Sequence, residues 1–162
     1  MVGLLAVIAV GRLFLWPPTD TPVKVDAIVA LGGDPNQARA TEAIRLAEQG
    51  YSHNVLVSLG GFVAAPCPKQ PPGINLTCFR PDPLNTRGEM EYAAQAAASH
   101  HWTSMMIVPG RTQATRARLL FRRCSSVPLV VVPISDHGYH LLFDVAYDSA
   151  ALVKAFVVHP SC

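Results

Sequence analysis

The chain has 162 residues, with 13 Lys+Arg against 11 Asp+Glu, 6 His, 4 Cys and 50% hydrophobic residues, the profile of one ordinary globular domain. At this length roughly 70% of the unfolded surface can be buried, so folding does not depend on a metal or cofactor. A formal net charge of +2, with no basic run carrying interleaved aromatics, argues against nucleic acid as a partner.

Met1 to Trp16, MVGLLAVIAVGRLFLW, is an apolar block broken only by Arg12 and closed by Pro17-Pro18. As a helix it rises ~24 Å, short of the ~30 Å hydrocarbon core, and no basic residue precedes it. Trp16-Pro17-Pro18 is not the small-x-small pattern of a cleavage site. Residues 1–18 therefore read as a hydrophobic anchor whose start lies upstream of Met1. A short or tilted anchor as written, and a buried first helix of the domain, are the other readings. Residues 19–162 read as one domain.

Val25 to Leu31 (VDAIVAL) is a short β-branched apolar run stopped by Gly32-Gly33, a buried strand by length and flanks. A helix follows, with Asp34 as N-cap, Pro35 in the first position, Gln37 in the third and Gly50 as the stop. Ala40, Ala43, Ile44 and Ala47 form its apolar face. Asn54 to Leu59 (NVLVSL) repeats the pattern and ends at Gly60-Gly61. A helix from about Thr86 to His100 opens with Thr86 and Glu89 spaced as a cap and its partner. Ser104 to Val108 is a third strand, and Pro109-Gly110 turns it into a helix ending near Cys124, with Ala114, Ala117, Phe121 and Cys124 on one face. Pro128 to Pro133 is a further strand and Val145 to Phe156 the final helix. Apolar strands alternating with helices predict an α/β, Rossmann-like three-layer sandwich around a mainly parallel sheet of four to five strands.

The cysteines bear on compartment. Cys67 and Cys78 bracket CPKQPPGINLTC, a Pro-rich stretch that reads as an irregular loop without secondary structure of its own. A disulfide there would contribute ~3 kcal/mol on the loop-entropy argument. Cys124 and the terminal Cys162 could form a second bridge. Four cysteines allow three connectivities, and four reduced thiols in a cytosolic protein remain the alternative. The spacing does not suit zinc.

In such a sheet ligands bind beyond the carboxyl ends of the strands. The polar features collect there: Gly32, Gly33 and Asp34; Gly60 and Gly61; Asn85, Thr86 and Glu89; and Gly110 and Gln113 after Pro109. Arg39 and Arg116 lie in the early turns of their helices. Paired glycines admit close backbone approach and helix N-termini favour negative charge, so the rim suits an anion held bidentately by the two arginines. Glu89 is the sole candidate general base, and no nucleophile with an adjacent base stands out. Each feature also has a purely structural reading: tight turns for the glycines, a capping box for Thr86 and Glu89, and local structure for His137 and His140. Dipole complementation would explain His100-His101. Arg111, Arg118 and Arg122 form a stripe that reads as a solvated face or one turned to anionic lipid. No metal-ligand cluster and no cofactor is indicated.

Taken together, AIVALGG, Arg39-Ala40, VLVSLGG, NTRGE at Asn85 to Glu89 and IVPGRTQATRA at Ile107 to Ala117 resemble the YdcF-like and SanA-like envelope proteins, over Asp26 to Lys154. The resemblance implies a Rossmann-like fold, often membrane-anchored outside the cytoplasm, and a link to envelope integrity or peptidoglycan-related processes. One cytosolic relative is associated with S-adenosylmethionine binding. By matching positions it assigns the site to Gly32, Gly33, Arg39, Gly60, Gly61, Asn85, Thr86, Glu89 and Arg116. Where the family places a Thr-Ser turn and then a histidine, this chain has Pro109, Gly110 and Gln113, and an amide does not titrate near neutral pH. The expected function is an anchored extracytoplasmic domain that binds, and could process, an anionic envelope metabolite such as a phosphorylated or lipid-linked precursor. The alternatives are a non-catalytic envelope interaction protein using the Cys67–Cys78 loop and the arginine stripe, and a soluble nucleotide or S-adenosylmethionine binder. The last lacks an acidic residue after the second strand, where Phe62-Val63 follow Gly60-Gly61.

Overall fold

The computed structural model describes residues 11–34, 36–61, 65–135 and 141–157. Five strands form one sheet: β1 (Ala27–Ala30), β2 (Asn54–Ser58), β3 (Asn75–Phe79), β4 (Met105–Val108) and β5 (Leu129–Val131). Their order is β3-β2-β1-β4-β5 and every pairing is parallel. This is the Rossmann-like arrangement expected from the alternating pattern. β1 and β4 are buried at every position because helices cover both faces, which is why they appear in the sequence as unbroken apolar runs.

Helix α1 (Ala38–Glu48) covers one face, setting Ala40, Ala43, Leu46 and Ala47 against Ile28, Ala30, Val55, Val57, Met106 and Val108. Helices α2 (Thr86–His100), α3 (Ala114–Cys124) and α4 (Leu141–Val157) supply the opposite core, where Met90, Ala93, Ala97, Ala117, Leu120, Phe121 and Ala155 meet Val29, Leu56, Met105, Ile107 and Val131. Chain direction from β1 leads outward one way to β2 and β3 and the other way to β4 and β5. The switch point between β1 and β4 is where such sheets open a crevice.

The structure corrects the sequence reading in three places. Asn75–Phe79 is not irregular loop but the edge strand β3, in register with Asn54–Ser58; its exposed Asn75 and Thr77 hide the strand among polar loop residues. Helix α4 begins at Leu141, four residues before the expected Val145, with Asp144 in its first turn, where a carboxylate suits the helix dipole. Helix α1 begins at Ala38, and Gln37, not Asp34, is its N-cap, at φ 56° without a side-chain cap bond. Pro35 lies outside the described residues.

Of the N-terminal block, Gly11–Leu15 forms a single π-helical turn that packs on α3, with Phe14 buried and Leu13 and Trp16 exposed. Among the described residues no helix is long and apolar enough to cross a membrane, and Met1 to Val10 lie outside them. The linker then runs along the open side of β5. There Asp20 donates its backbone N–H to the Val131 carbonyl, accepts the Val131 N–H on its carboxylate and pairs with Arg118. At the amino end of the sheet Asp26 Oδ2 accepts from the backbone N–H and hydroxyl of both Thr103 and Ser104. Those bonds, the Thr103 amide foremost, hold its carboxyl below the usual range.

Candidate functional site

The turns after β1 and β2 are locked face to face. A Cβ on Gly32 would stand 2.4 Å from the Gly60 carbonyl oxygen, a distance no side chain tolerates. Gly33, at φ +82°, donates its N–H to that same oxygen at 2.6 Å. Glycine is thus required for a close approach at one position and for a left-handed backbone at the next. The Gly60 N–H turns back to Ser58 Oγ at 3.1 Å.

Beneath the paired turns lies Glu89, 3% exposed. Its Oε1 accepts the Gly32 N–H at 2.6 Å, and its carboxyl is hydrogen-bonded by the Ser58 side chain. Burial pushes this carboxyl up from its ordinary value, against the lowering pull of Ser58, the Gly32 amide, Arg39 and Arg116. Glu89 therefore does not serve as the capping partner its spacing suggested. That task falls to Asn85, whose side chain accepts from the N–H groups of Arg87 and Gly88 at 2.9 and 3.2 Å. Thr86 is consequently the first helical residue, not the cap, and its hydroxyl points inward.

From there a chain of side chains crosses the switch point. Arg39, in the first turn of α1, donates through Nη1 to the Gly32 carbonyl and to Gln113 Oε1, the latter at 3.0 Å. Gln113 Nε2 donates to Thr86 Oγ1 at 2.9 Å, and Arg116 Nη1 donates to the same oxygen at 2.9 Å. Arg116 Nη2 reaches Asp148 Oδ1 on α4 at 2.7 Å, with the Tyr147 ring 6.0 Å from its guanidinium carbon. Among the described residues the Arg116 Nε–H, though buried, meets no acceptor. An amide at position 113 suits this bridge, because it accepts from a cation on one side and donates to a hydroxyl on the other.

A shallow cleft opens at the carboxyl ends of β1 and β2, with room for little more than one water molecule. Gly32, Gly33, Asp34, Arg39 and Gly60 line it, as the sequence placed them, together with Gln37 and Ser58. The Asp34 carboxylate accepts from the Asn36 and Arg39 N–H groups and so shapes the entry to α1. Glu89, Thr86, Gln113 and Arg116 stand behind the cleft as its supporting network. Asn85 caps α2, and Gly110 belongs to the β4–α3 turn, where it bridges to Ile134 and accepts the Gln113 N–H. Gly61, at φ +138°, precedes residues 62–64, which lie outside the described residues.

The far wall of the cleft is Ala65 and Pro66, and Cys67 follows at once. Cys67 is disulfide-bonded to Cys78 of β3, the register partner of Val57. Cys124 is also disulfide-bonded, while Cys162, like His137 and His140, lies outside the described residues. Among the described residues no cysteine is free and no group of metal-ligating side chains gathers. His101 is the left-handed C-cap of α2, and His100 stacks on Trp102.

No family model, curated protein or solved structure matches this chain. Three members of the site escaped the sequence reading. Gln37 reads only as part of the helix start, and Ser58 lies inside the apolar run NVLVSL with nothing to mark it as a site residue. Asp148 gave one signal only, a carboxylate inside the otherwise apolar run of the last helix, with nothing local to say that its partner is Arg116.

Proposed function

We propose that the domain is an anion-binding module of the YdcF-like and SanA-like kind, held by its N-terminal block on the extracytoplasmic side, which binds the phosphate-bearing end of a cell-envelope metabolite. The observation that carries this reading is the cleft itself: two interlocked glycine turns, the start of α1 and the Arg39 guanidinium converge on one small opening. It has room for little more than one water-sized group, so a charged head would sit at its mouth with the remainder outside. An arginine fork is a natural partner of phosphate oxygens. The Cys67–Cys78 disulfide supports an oxidising compartment.

Binding is favoured over turnover. Glu89 is buried beneath the cleft, keeps its proton more readily than an ordinary carboxyl and spends its oxygens on Gly32 and Ser58. Its role in this reading is to lock the two turns that frame the cleft. Gln113 carries no titrating proton, so the network behind the cleft transmits position and not protons.

The test is calorimetric titration of the full chain, disulfides intact, with inorganic pyrophosphate. Arg39→Lys keeps the charge but loses the planar fork, and is expected to weaken binding about tenfold, the loss of roughly one charge-assisted hydrogen bond. Arg45→Ala, on the exposed side of α1 where Arg45 pairs with Glu42, is expected to bind as the parent does. Equal affinity in all three proteins would refute the assigned site.

A further inference from the structure

Among the described residues, one face of helix α4 is left bare. Phe143, Tyr147, Val153 and Val157 are 68%, 55%, 62% and 75% exposed, and with Ala150 they recur at helical spacing along a single stripe whose exposed charge is Lys154. The opposite face holds Asp148 and Ala155, which pack on α3 through Arg116 and through the bond from Arg123 to the Ala155 carbonyl. An apolar helical face of this extent in water marks a docking surface.

The N-terminal turn extends that surface. Thr115 donates to the Leu13 carbonyl and Arg118 to the Pro18 carbonyl, so the turn is fastened to α3 one residue from Arg116, where α4 is fastened. Between the two attachments the outward side of α3 presents Leu119 and Arg122. Trp16, Val153 and Val157 are 66%, 62% and 75% exposed on the two elements that pack on α3, and Arg122 is exposed on α3 itself.

We infer that this face lies on an anionic lipid surface. Three observations select that occupant. The exposed charges among the apolar residues are cationic, Arg122 and Lys154, the combination that holds interfacial helices at anionic headgroups. A second copy docked about a twofold axis would instead bring the same cationic patch against itself. The apolar residues Met1 to Val10 lead into Gly11, in the turn that packs on α3, so whatever that block enters lies on the side of the domain that carries this turn. The inference shares with the proposed function only the expectation that the N-terminal block meets a bilayer.

The test uses the full chain, disulfides intact, mixed with vesicles of phosphatidylcholine and phosphatidylglycerol, and an environment-sensitive fluorophore at V153C or, on the opposite layer, at E48C. Both positions are exposed, so neither label disturbs the core. Quenching of the 153 label by lipid-borne nitroxide, with none at 48, is expected, together with loss of that quenching in R122E/K154E. If the protein floats with the vesicles while both labels stay equally open to aqueous iodide, the docked face is refuted and the anchoring block survives. If nothing floats and neither label is quenched, both fall, whereas the pyrophosphate titration still judges the cleft. Shielding of the 153 label that grows with protein concentration in the absence of lipid would overturn the inference in favour of a second copy.

Discussion

Replacing Asp148 with alanine tests how firmly the network behind the cleft is built. Asp148 and Arg116 are 5% and 8% exposed and meet at 2.7 Å. Among the described residues the guanidinium would keep one bond without the carboxylate, to Thr86, and its Nε–H meets no acceptor. Stranding a buried charge in this way costs about 3–5 kcal/mol, a large part of the roughly 5–15 kcal/mol that holds a domain together. At about 2–4 °C per kcal/mol for a chain of this size, the expected fall in Tm is about 6–20 °C. The same pair replaced on both sides, Arg116→Met with Asp148→Ala, removes the charge along with its partner and is expected to recover part of that loss. The assay is urea unfolding of the parent, both single variants and the double variant, with disulfides intact, read as a double-mutant cycle. The exposed Arg45–Glu42 pair serves as the reference, since surface pairs contribute about 0–1 kcal/mol. A loss for Asp148→Ala within that surface range, fading with added salt, would refute the claim that this pair is sealed from water.

Three further outcomes follow from the site. The Glu89 carboxyl is raised in the folded protein, so the folded state holds this proton to higher pH than the unfolded chain. Its contribution to stability is full below the ordinary carboxyl value and is lost as pH rises through the raised one. The stability of the parent relative to Glu89→Gln is expected to fall as pH rises across that window, and a difference that stays flat in urea titrations at several pH values would disprove it. Gly32→Ala forces a Cβ against the Gly60 backbone oxygen, with an expected cost of about 2–4 kcal/mol, the range of severe overpacking, and loss of pyrophosphate binding; a parent-like calorimetric profile would contradict the interlocked turns. Cys67→Ser with Cys78→Ser opens an 11-residue separation and is expected to cost about 3 kcal/mol on the loop-entropy argument. Weakened pyrophosphate binding should accompany it, because Ala65 and Pro66 lose their tether, and unaltered melting would show the staple to be redundant.

The fold was largely legible because buried parallel strands are continuous apolar runs, and β1, β2 and β4 have no polar face to confuse them. β3 was not: as an edge strand it turns Asn75 and Thr77 to solvent and follows a Pro-rich segment, so it lacks the feature that revealed the others. At the site, the glycine turns and Arg39 were legible from turn chemistry and helix position. The work of Thr86 and Glu89 was not, because a spacing of three is equally a capping box and the residue that caps, Asn85, stands one place earlier. Their real partners are distant in sequence: Glu89 bonds Gly32, and Thr86 bonds Gln113 and Arg116. Periodicity reports which face a residue is on and says nothing of which residue it meets across the sheet.

Asp20 has a consequence for how the domain survives being cut. Open edges of sheets invite pairing with other chains, and proteins cover them with loops or inward charges. Here the cover on β5 is a stretch of linker whose aspartate takes the place of a sixth strand at Val131. A protease that severed the chain at Pro17 or Pro18 would release a domain with this cover still tied down by Arg118. A cut a few residues later, between Asp20 and Lys24, would detach the cover together with the residues before it and expose the backbone of β5 as a template for aggregation. The position of the cut, more than the loss of the apolar block, decides whether the freed domain stays monodisperse.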